Sequence, residues 1–362
     1  MTEIAPAEPV GPAPAPMPTP TAPAAATDKS TGMTTDILGE PWVARRIDVV
    51  PDEVAAPGAD HAVLVHQRGA VPTAQGAPRH DRAVLYLHGR NDYFFQTHLA
   101  DAFLSAGYEF YALDLRTCGR AGVGHPSPHD VRDLRVHDEE IGEALRIIRS
   151  EHGHGVVVLN GHSTGGLQAV IWAEDHPGSV EAVTLNSPWL DLQAGGLMRS
   201  YGSAFVDLLS RHDPDRIIID EPLAAGVPGW AGEDEQVADW SVGATVGDAS
   251  DDLYARTLHR RWGGEWDWDL SLKPSPSFPV RAGFMAAVRR AHRDVHHGLG
   301  IEAPVLLCCS TESAAGVDRS QLTPQDALRQ DLVLDVGQMV ARAPFLGDDV
   351  TVRRVPGGVH DL

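Results

Sequence analysis

Val156-Val157-Val158-Leu159-Asn160-Gly161-His162-Ser163-Thr164-Gly165-Gly166-Leu167-Gln168-Ala169-Val170-Ile171-Trp172-Ala173 is the stretch that decides the fold. Its first five residues are short, apolar and β-branched, the composition of a buried strand. From Gly166 to Ala173 the chain stays apolar long enough for a buried helix. Between the two stands Gly-x-Ser-x-Gly, in which a serine tops a sharp strand-to-helix turn. So tight a turn accepts only residues with almost no side chain beside the serine, hence Gly161 and Gly165. The Ser163 oxygen then sits at a helix N-terminus, whose free N–H groups favour negative charge. The pentapeptide alone carries little weight, and an ordinary turn with a capping serine would also contain it. The strand before it and the helix after it supply the argument.

Working outward, extended and helical segments alternate. Arg45 to Val50, His61 to Gln67, Ala83 to Leu87, Glu109 to Leu115, Val180 to Asn186, Pro304 to Ser310 and Val350 to Val355 read as strands. Phe95 to Ala106 has helical spacing and stops at Gly107. Leu134 to Glu151 is amphipathic, with Ile141, Leu145 and Ile148 on one face. This alternation predicts an α/β protein with a mostly parallel central sheet and helices on both faces. Residues 188–302 break the rhythm and hold Trp189, Trp230, Trp240, Trp262, Trp266 and Trp268, with a helix from Phe284 to His297. They read as an inserted, mainly helical cap over the sheet's C-terminal edge, where such sheets bind ligands. The tryptophans either line an apolar pocket or form the cap's own small core. The expected division is a disordered Pro/Ala-rich tail over 1–36, a core over 37–187, the cap over 188–302, and a second core part over 303–362.

Composition bounds the function. The 362 residues carry a formal net charge of −21, which disfavours nucleic acid and tight docking on anionic lipid. Met1 to Thr27 is nearly all Ala, Pro and Thr, with too few apolar side chains for a core. It lacks the basic start and apolar run of a secretory signal. No run approaches the ~18 apolar residues of a membrane span, so no stable membrane anchor is expected. Cys118, Cys308 and Cys309 imply no disulfide framework, and a cytoplasmic location is the default.

A serine needs a general base, and the base needs an orienting acid. This turn type places them in the order Ser, Asp or Glu, His. His360 follows the last predicted strand in Pro356-Gly357-Gly358-Val359-His360 and is the expected base. Glu312, Asp318, Asp331 and Asp335 all follow the preceding strand and are candidate acids. The oxyanion needs two backbone donors. Thr164 follows the serine, and Arg90 follows the strand-ending His88-Gly89. His88, Gly89, His162 and Trp189 flank these positions and are the expected substrate-binding residues.

Leu85-Tyr86-Leu87-His88-Gly89, Tyr111-Ala112-Leu113-Asp114-Leu115-Arg116, Gly161 to Gly166, Asp331 to Asp335 and Gly357-Gly358-Val359-His360-Asp361 together resemble the α/β-hydrolase superfamily. The branch is that of monoglyceride lipases, lysophospholipases and serine-aminopeptidase-like hydrolases. The resemblance spans residue 45 to the end, least in the cap. It implies a serine hydrolase for a small-molecule ester, and it selects Asp331 as the acid, Ser163 and His360 as its partners, and Arg90 and Thr164 as oxyanion donors. It implies no cofactor. Three departures stand out, the first being an unusually long stretch between Ser310 and Asp331, which bears on the choice of acid. Relatives have Arg-Gly-His-Gly where this chain has Arg116-Thr117-Cys118-Gly119-Arg120, and a final helix where this chain stops at Leu362, which leads one to expect a loosely held His360. An amidase or peptidase would use the same triad, and a non-catalytic binder would keep the fold and pocket. His292 and His296 lie four apart on a predicted helix, but His-Arg-Asp-Val-His lacks the protease glutamate, so a solvated face is expected and no metal. Cys118 has no elbow around it, and the glycines form no nucleotide fingerprint.

Overall fold

The computed structural model describes residues 32–71, 78–192, 203–219, 253–275, 277–314 and 322–362. Its strands in chain order are β1 (Met33–Thr35), β2 (Trp42–Asp48), β3 (His61–Gln67), β4 (Arg82–Leu87), β5 (Tyr108–Asp114), β6 (Val156–His162), β7 (Ala182–Asn186), β8 (Ile217–Ile219), β9 (Val280–Arg281), β10 (Val305–Ser310) and β11 (Val350–Val355). Nine of them form one sheet in the order β1-β2-β3-β5-β4-β6-β7-β10-β11. β1, β2, β3 and β5 pair antiparallel in succession, and every pair from β5 to β11 is parallel. β8 and β9 make a separate antiparallel pair.

Period-two alternation builds a core on each face. On β4 and β5, Leu85, Leu87, Tyr111 and Leu113 face one cluster. Val84, Tyr86, Phe110 and Ala112 face the other. The first cluster takes the apolar stripes of α2 (Asp138–Arg146), α3 (Thr164–Asp175) and α6 (Ala282–His297). The second is closed by α1 (Thr97–Ser105) through Leu99, Ala100 and Phe103. A sheet covered on both faces has continuous apolar strands, and β4 and β6 are buried almost throughout. The remaining helices are α4 (Ser203–His212), α5 (Leu253–Leu258), α7 (Pro324–Ala327) and α8 (Val336–Arg342).

Two sequence expectations need correction. The tail was expected to run to residue 36, yet Met33 to Thr35 pair with β2, Met33 opposite Arg45. Met33 is buried against the sheet, so apolar burial accompanies the β1–β2 pairing. The long helix expected over Leu134 to Glu151 is three pieces: a 3-10 turn at Leu134–His137, α2, and a π turn at Ile147–Glu151. Its inward face is as expected, with Ile141, Leu145 and Ile148 buried.

Candidate active site

The site is built at the C-terminal end of β6. Ser163 has φ 53° and ψ −116°, a left-handed conformation that a non-glycine residue adopts only under constraint. The constraint is visible. The Ser163 N–H donates to the Asn186 carbonyl at 3.0 Å, and its own carbonyl accepts from Gly166 at 3.0 Å and Trp189 at 2.9 Å. A Cβ at Gly161 would meet the Gly165 carbonyl oxygen, and one at Gly165 would meet the Leu87 and His88 carbonyl oxygens. A Cβ at Gly89 would come within 3.1 Å of the Ser163 Cβ, so the loop after β4 lies against the serine. Each glycine is therefore required by a close approach.

His360 follows β11 and is 3% exposed. Its Nδ1 lies 2.9 Å from Asp331 Oδ2. The other oxygen of that carboxylate accepts from the Val333 and Leu334 N–H groups, each at 2.8 Å. Asp331 is held in turn by an N–H to the Glu312 carbonyl at 2.9 Å. This pair leaves His360 Nε2 for another partner. No hydrogen bond joins it to the Ser163 hydroxyl here, as is common before substrate binds. The His360 ring does pack on that of His162, the neighbour of Ser163, with centroids 5.0 Å apart, and Tyr254 of α5 meets it edge-on at 5.7 Å. The loosely held histidine expected from the chain's end is thus corrected. Asp331, these two rings and the Leu362 to Asn186 amide contact at 3.3 Å hold it. Of the other candidate acids, Asp335 caps α8 through Gly337 and Gln338, Glu312 is exposed, and Asp318 lies outside the described residues.

Arg90 and Thr164 line one small cavity of about 30 Å³, together with Gly89, Gly165, Gln168 and Phe284. That is room for one or two water molecules. Of the expected substrate-binding residues, His88 lines this same cavity and is also fixed by two hydrogen bonds. Its Nδ1 donates to the Gly89 carbonyl at 2.7 Å and its Nε2 accepts from Leu115 N–H at 3.2 Å, tying β4 to the loop after β5. Trp189 packs partly buried on the core and gives its carbonyl to His292 Nε2 at 2.8 Å.

His162 belongs to a buried charge cluster that sequence reasoning missed. Its Nδ1 is 3.4 Å from Asp92 Oδ2, and Lys273 Nζ is 2.8 Å from Asp92 Oδ1. Asp361, the residue after His360, joins them and accepts from Gln96 Nε2 at 3.2 Å. Asp92, Lys273, His162 and Asp361 are each 5% exposed or less. Burial alone would lower the His162 pKa, but Asp361 and Asp92 outweigh it and raise it. Asp92 is held well below the usual carboxylate range: burial opposes ionisation and the Lys273 ammonium overrides it. Asp92, His162 and Asp361 offer ligand atoms within 4.8 Å of one another, but Lys273 already supplies a cation there. One sequence signal existed: Lys273 is one of only two lysines in the chain, the other being Lys29 in the tail.

Elsewhere, the solvated His292 expected on α6 is corrected. It is 3% exposed because α6 packs on the core through that face, while His296 pairs with Asp191 at 3.0 Å. Cys118 is buried, and burial pushes its thiol well up, away from a reactive thiolate. The divergent loop around it is braced by buried ion pairs, Arg116 to Glu140 at 2.6 Å and Arg120 to Asp114 at 2.8 Å. Trp268 packs with Tyr93, Phe95, Ala255, Leu258 and Leu272, with Trp266 partly buried alongside, a small core rather than a pocket wall. Trp262 is half-buried, with Arg261 over its ring. Trp230 and Trp240 lie outside the described residues.

The strand order and the turn at the end of β6 are those of the α/β-hydrolase fold. Residues 78–239 match the family model of serine aminopeptidase, S33. A thermostable carboxyl esterase from Bacillus coagulans, solved with glycerol, superposes with a TM-score of 0.53 at 13% identity, covering 87% of this chain and 90% of that one. A lipase in its open form gives 0.52 at 17%, covering 88% and 91%. A monoacylglycerol lipase from Paleococcus ferrophilus gives 0.49 at 18%, covering 80% and 88%. No curated protein matches the chain. The chain has the α/β-hydrolase fold, and its residues 78–239 are similar to the serine aminopeptidase family. Among the described residues no helix is long and apolar enough to cross a membrane.

Proposed function

We propose that this protein is a serine hydrolase that cleaves carboxylic esters with an apolar acyl part, of the monoacylglycerol or lysophospholipid kind, through an acyl-enzyme on Ser163. The observation that carries the reading is the His360 to Asp331 hydrogen bond beside the strained Ser163 turn. Ser163 Oγ attacks the ester carbonyl carbon while His360 Nε2 takes its proton. Asp331 holds the imidazole through Nδ1 and stabilises the imidazolium. The developing oxyanion is held by the Thr164 and Arg90 N–H groups, reinforced by the N-terminus of α3. The intermediate collapses, and the leaving alcohol carries off the proton from His360. Water then attacks the acyl-enzyme, giving its proton to His360. Collapse releases the carboxylic acid, and the proton returns to Ser163.

The cap over 188–302 is the proposed selector of the acyl group, and Gly89 and His162 are the proposed substrate-facing neighbours of the serine. The ester reading rests on the resemblance to monoglyceride lipases and lysophospholipases, and the fold likeness to a carboxyl esterase and a lipase agrees with it. Hydrolysis of p-nitrophenyl esters of graded acyl length, with Ser163→Ala alongside, tests it. Serine-dependent turnover that rises with acyl length supports the reading. Equal turnover in Ser163→Ala, or none in folded wild type, contradicts it.

A further inference from the structure

The loop that follows β4 is gripped side chain by side chain by the segment ahead of α6. Arg90 donates to the Pro279 carbonyl at 2.8 Å and also to that of Phe278. Asn91, at φ 53°, donates through Nδ2 to Pro274 at 2.9 Å and accepts from Phe278 N–H at 3.2 Å. Asp92 binds the Lys273 ammonium at 2.8 Å. The Tyr93 hydroxyl accepts from Asp269 N–H at 2.8 Å, and the Phe95 ring meets Trp268 at 5.2 Å. Lys273 is the charged member of this contact. Its Nζ lies 5.0 Å over the Phe95 and Trp268 rings and 5.6 Å over Tyr254, the ring that meets His360. An ammonium buried among aromatics and one carboxylate cannot move without leaving Asp92 only its 3.4 Å contact to His162, which is costly in a low-dielectric site.

We propose that Lys273 is a positioning residue for hydrolysis: through Asp92 it fixes both the loop carrying the Arg90 N–H donor and the His162 ring that packs on His360. The proposal rests on the triad reading above. It goes beyond that reading by giving a residue far from the elbow in sequence a task in the chemical step. Displacing a preorganised group by about 1 Å can cost about a hundredfold in rate. The charge acts as well. His162 is faced by Asp92 from the loop after β4, Lys273 from the segment ahead of α6, and Asp361 and His360 from the C-terminus; His88 acts on Asp92, and Tyr254 and Asp331 meet His360. Removing the ammonium leaves Asp92 and Asp361 unopposed, so His162 holds its proton to higher pH and uncompensated negative charge stands beside the His360 ring.

The test uses the full chain and any p-nitrophenyl ester it hydrolyses, and reads kcat, KM, Tm and the pH profile of kcat/KM. Lys273→Met should lower kcat about tenfold to a hundredfold with KM nearly constant. It should also move the acid limb of the profile to higher pH. The neutral pair Asp92→Asn/Lys273→Met should return the acid limb toward wild type while kcat stays low, because the tie to the loop is gone but no charge is stranded. A folded Lys273→Met with wild-type kcat and an unmoved acid limb overturns the proposal, even if its Tm falls. Should Lys273→Met fail to fold, the double variant decides: reduced kcat supports the proposal and wild-type kcat overturns it. Ser163→Ala in the same assay separates the two levels. Surviving turnover there overturns the triad reading and this proposal together. A dead Ser163→Ala beside an unaltered Lys273→Met overturns this proposal alone.

Discussion

β6 has buried histidines at both of its ends, and the two ends treat them in opposite ways. Where the strand finishes, His162 and His360 face the carboxylates of Asp92, Asp361 and Asp331. Where it begins, His66, His152 and His154 gather around Tyr111. Their partners are the Tyr111 hydroxyl, 2.8 Å from His152 Nδ1 and from His154 Nε2, and the backbone oxygens of Gln67 and Ala70. All five side chains are nearly inaccessible, so exposure does not distinguish them. Partner chemistry does. Burial pushes His66 down to about 4 and His152 to about 3, while His162, equally buried, is raised by its carboxylates. A buried imidazole takes a proton only where negative charge offsets its desolvation, and this chain places that charge beside Ser163.

The strongest way to break the comparison is to remove a carboxylate from the functional end. Asp331→Asn keeps the shape but loses the charge that orients and stabilises His360. We expect kcat to fall about 10³- to 10⁴-fold with Tm little changed. A fall of less than about tenfold in steady-state assays would mean that Asp331 is not the orienting acid.

The other end governs acid stability. A histidine whose folded pKa lies below its unfolded 6.5 binds fewer protons folded than unfolded. Stability is therefore full above about pH 6.5 and lost as pH falls through the folded value, here about 4 for His66. Full development of that one shift is worth roughly 3 kcal/mol. His66→Gln should shrink the drop in Tm between pH 7 and pH 4.5, and an unchanged drop would show that His66 does not set it. His162 has the opposite sign: its raised pKa adds stability below pH 6.5 that is lost as pH rises through the folded value. The smallest effect sharpens this. Asp361→Asn should lower the His162 pKa, read from the imidazole resonances of histidine-labelled protein. No movement would remove Asp361 from the cluster.

Much of this was legible in the chain. β3 has the boundaries that its apolar run predicts, because a buried strand admits little else, and β11 has those that its β-branched residues predict. The turn at Ser163 was legible because its glycines form a local pattern: Gly161 is compelled by the Gly165 carbonyl four residues on, and Gly165 by the end of β4. Asp331 could not be chosen over Asp335 by position alone. Both follow β10, and one binds His360 while the other caps a helix. The Asp92 to Lys273 pair was invisible because its partners lie 181 residues apart and follow no periodicity. His292 was misread because helical spacing reports a face but not what packs on it.

The most direct measurement is to treat the protein with a fluorophosphonate and locate the adduct by peptide mass spectrometry. Attack by an activated serine expels fluoride and leaves a phosphonate ester on its oxygen. We expect a single adduct on Ser163, absent from Ser163→Ala and strongly slowed in Asp331→Asn. An unmodified Ser163, or an adduct that persists in Ser163→Ala, would contradict the assignment of Ser163 as the nucleophile.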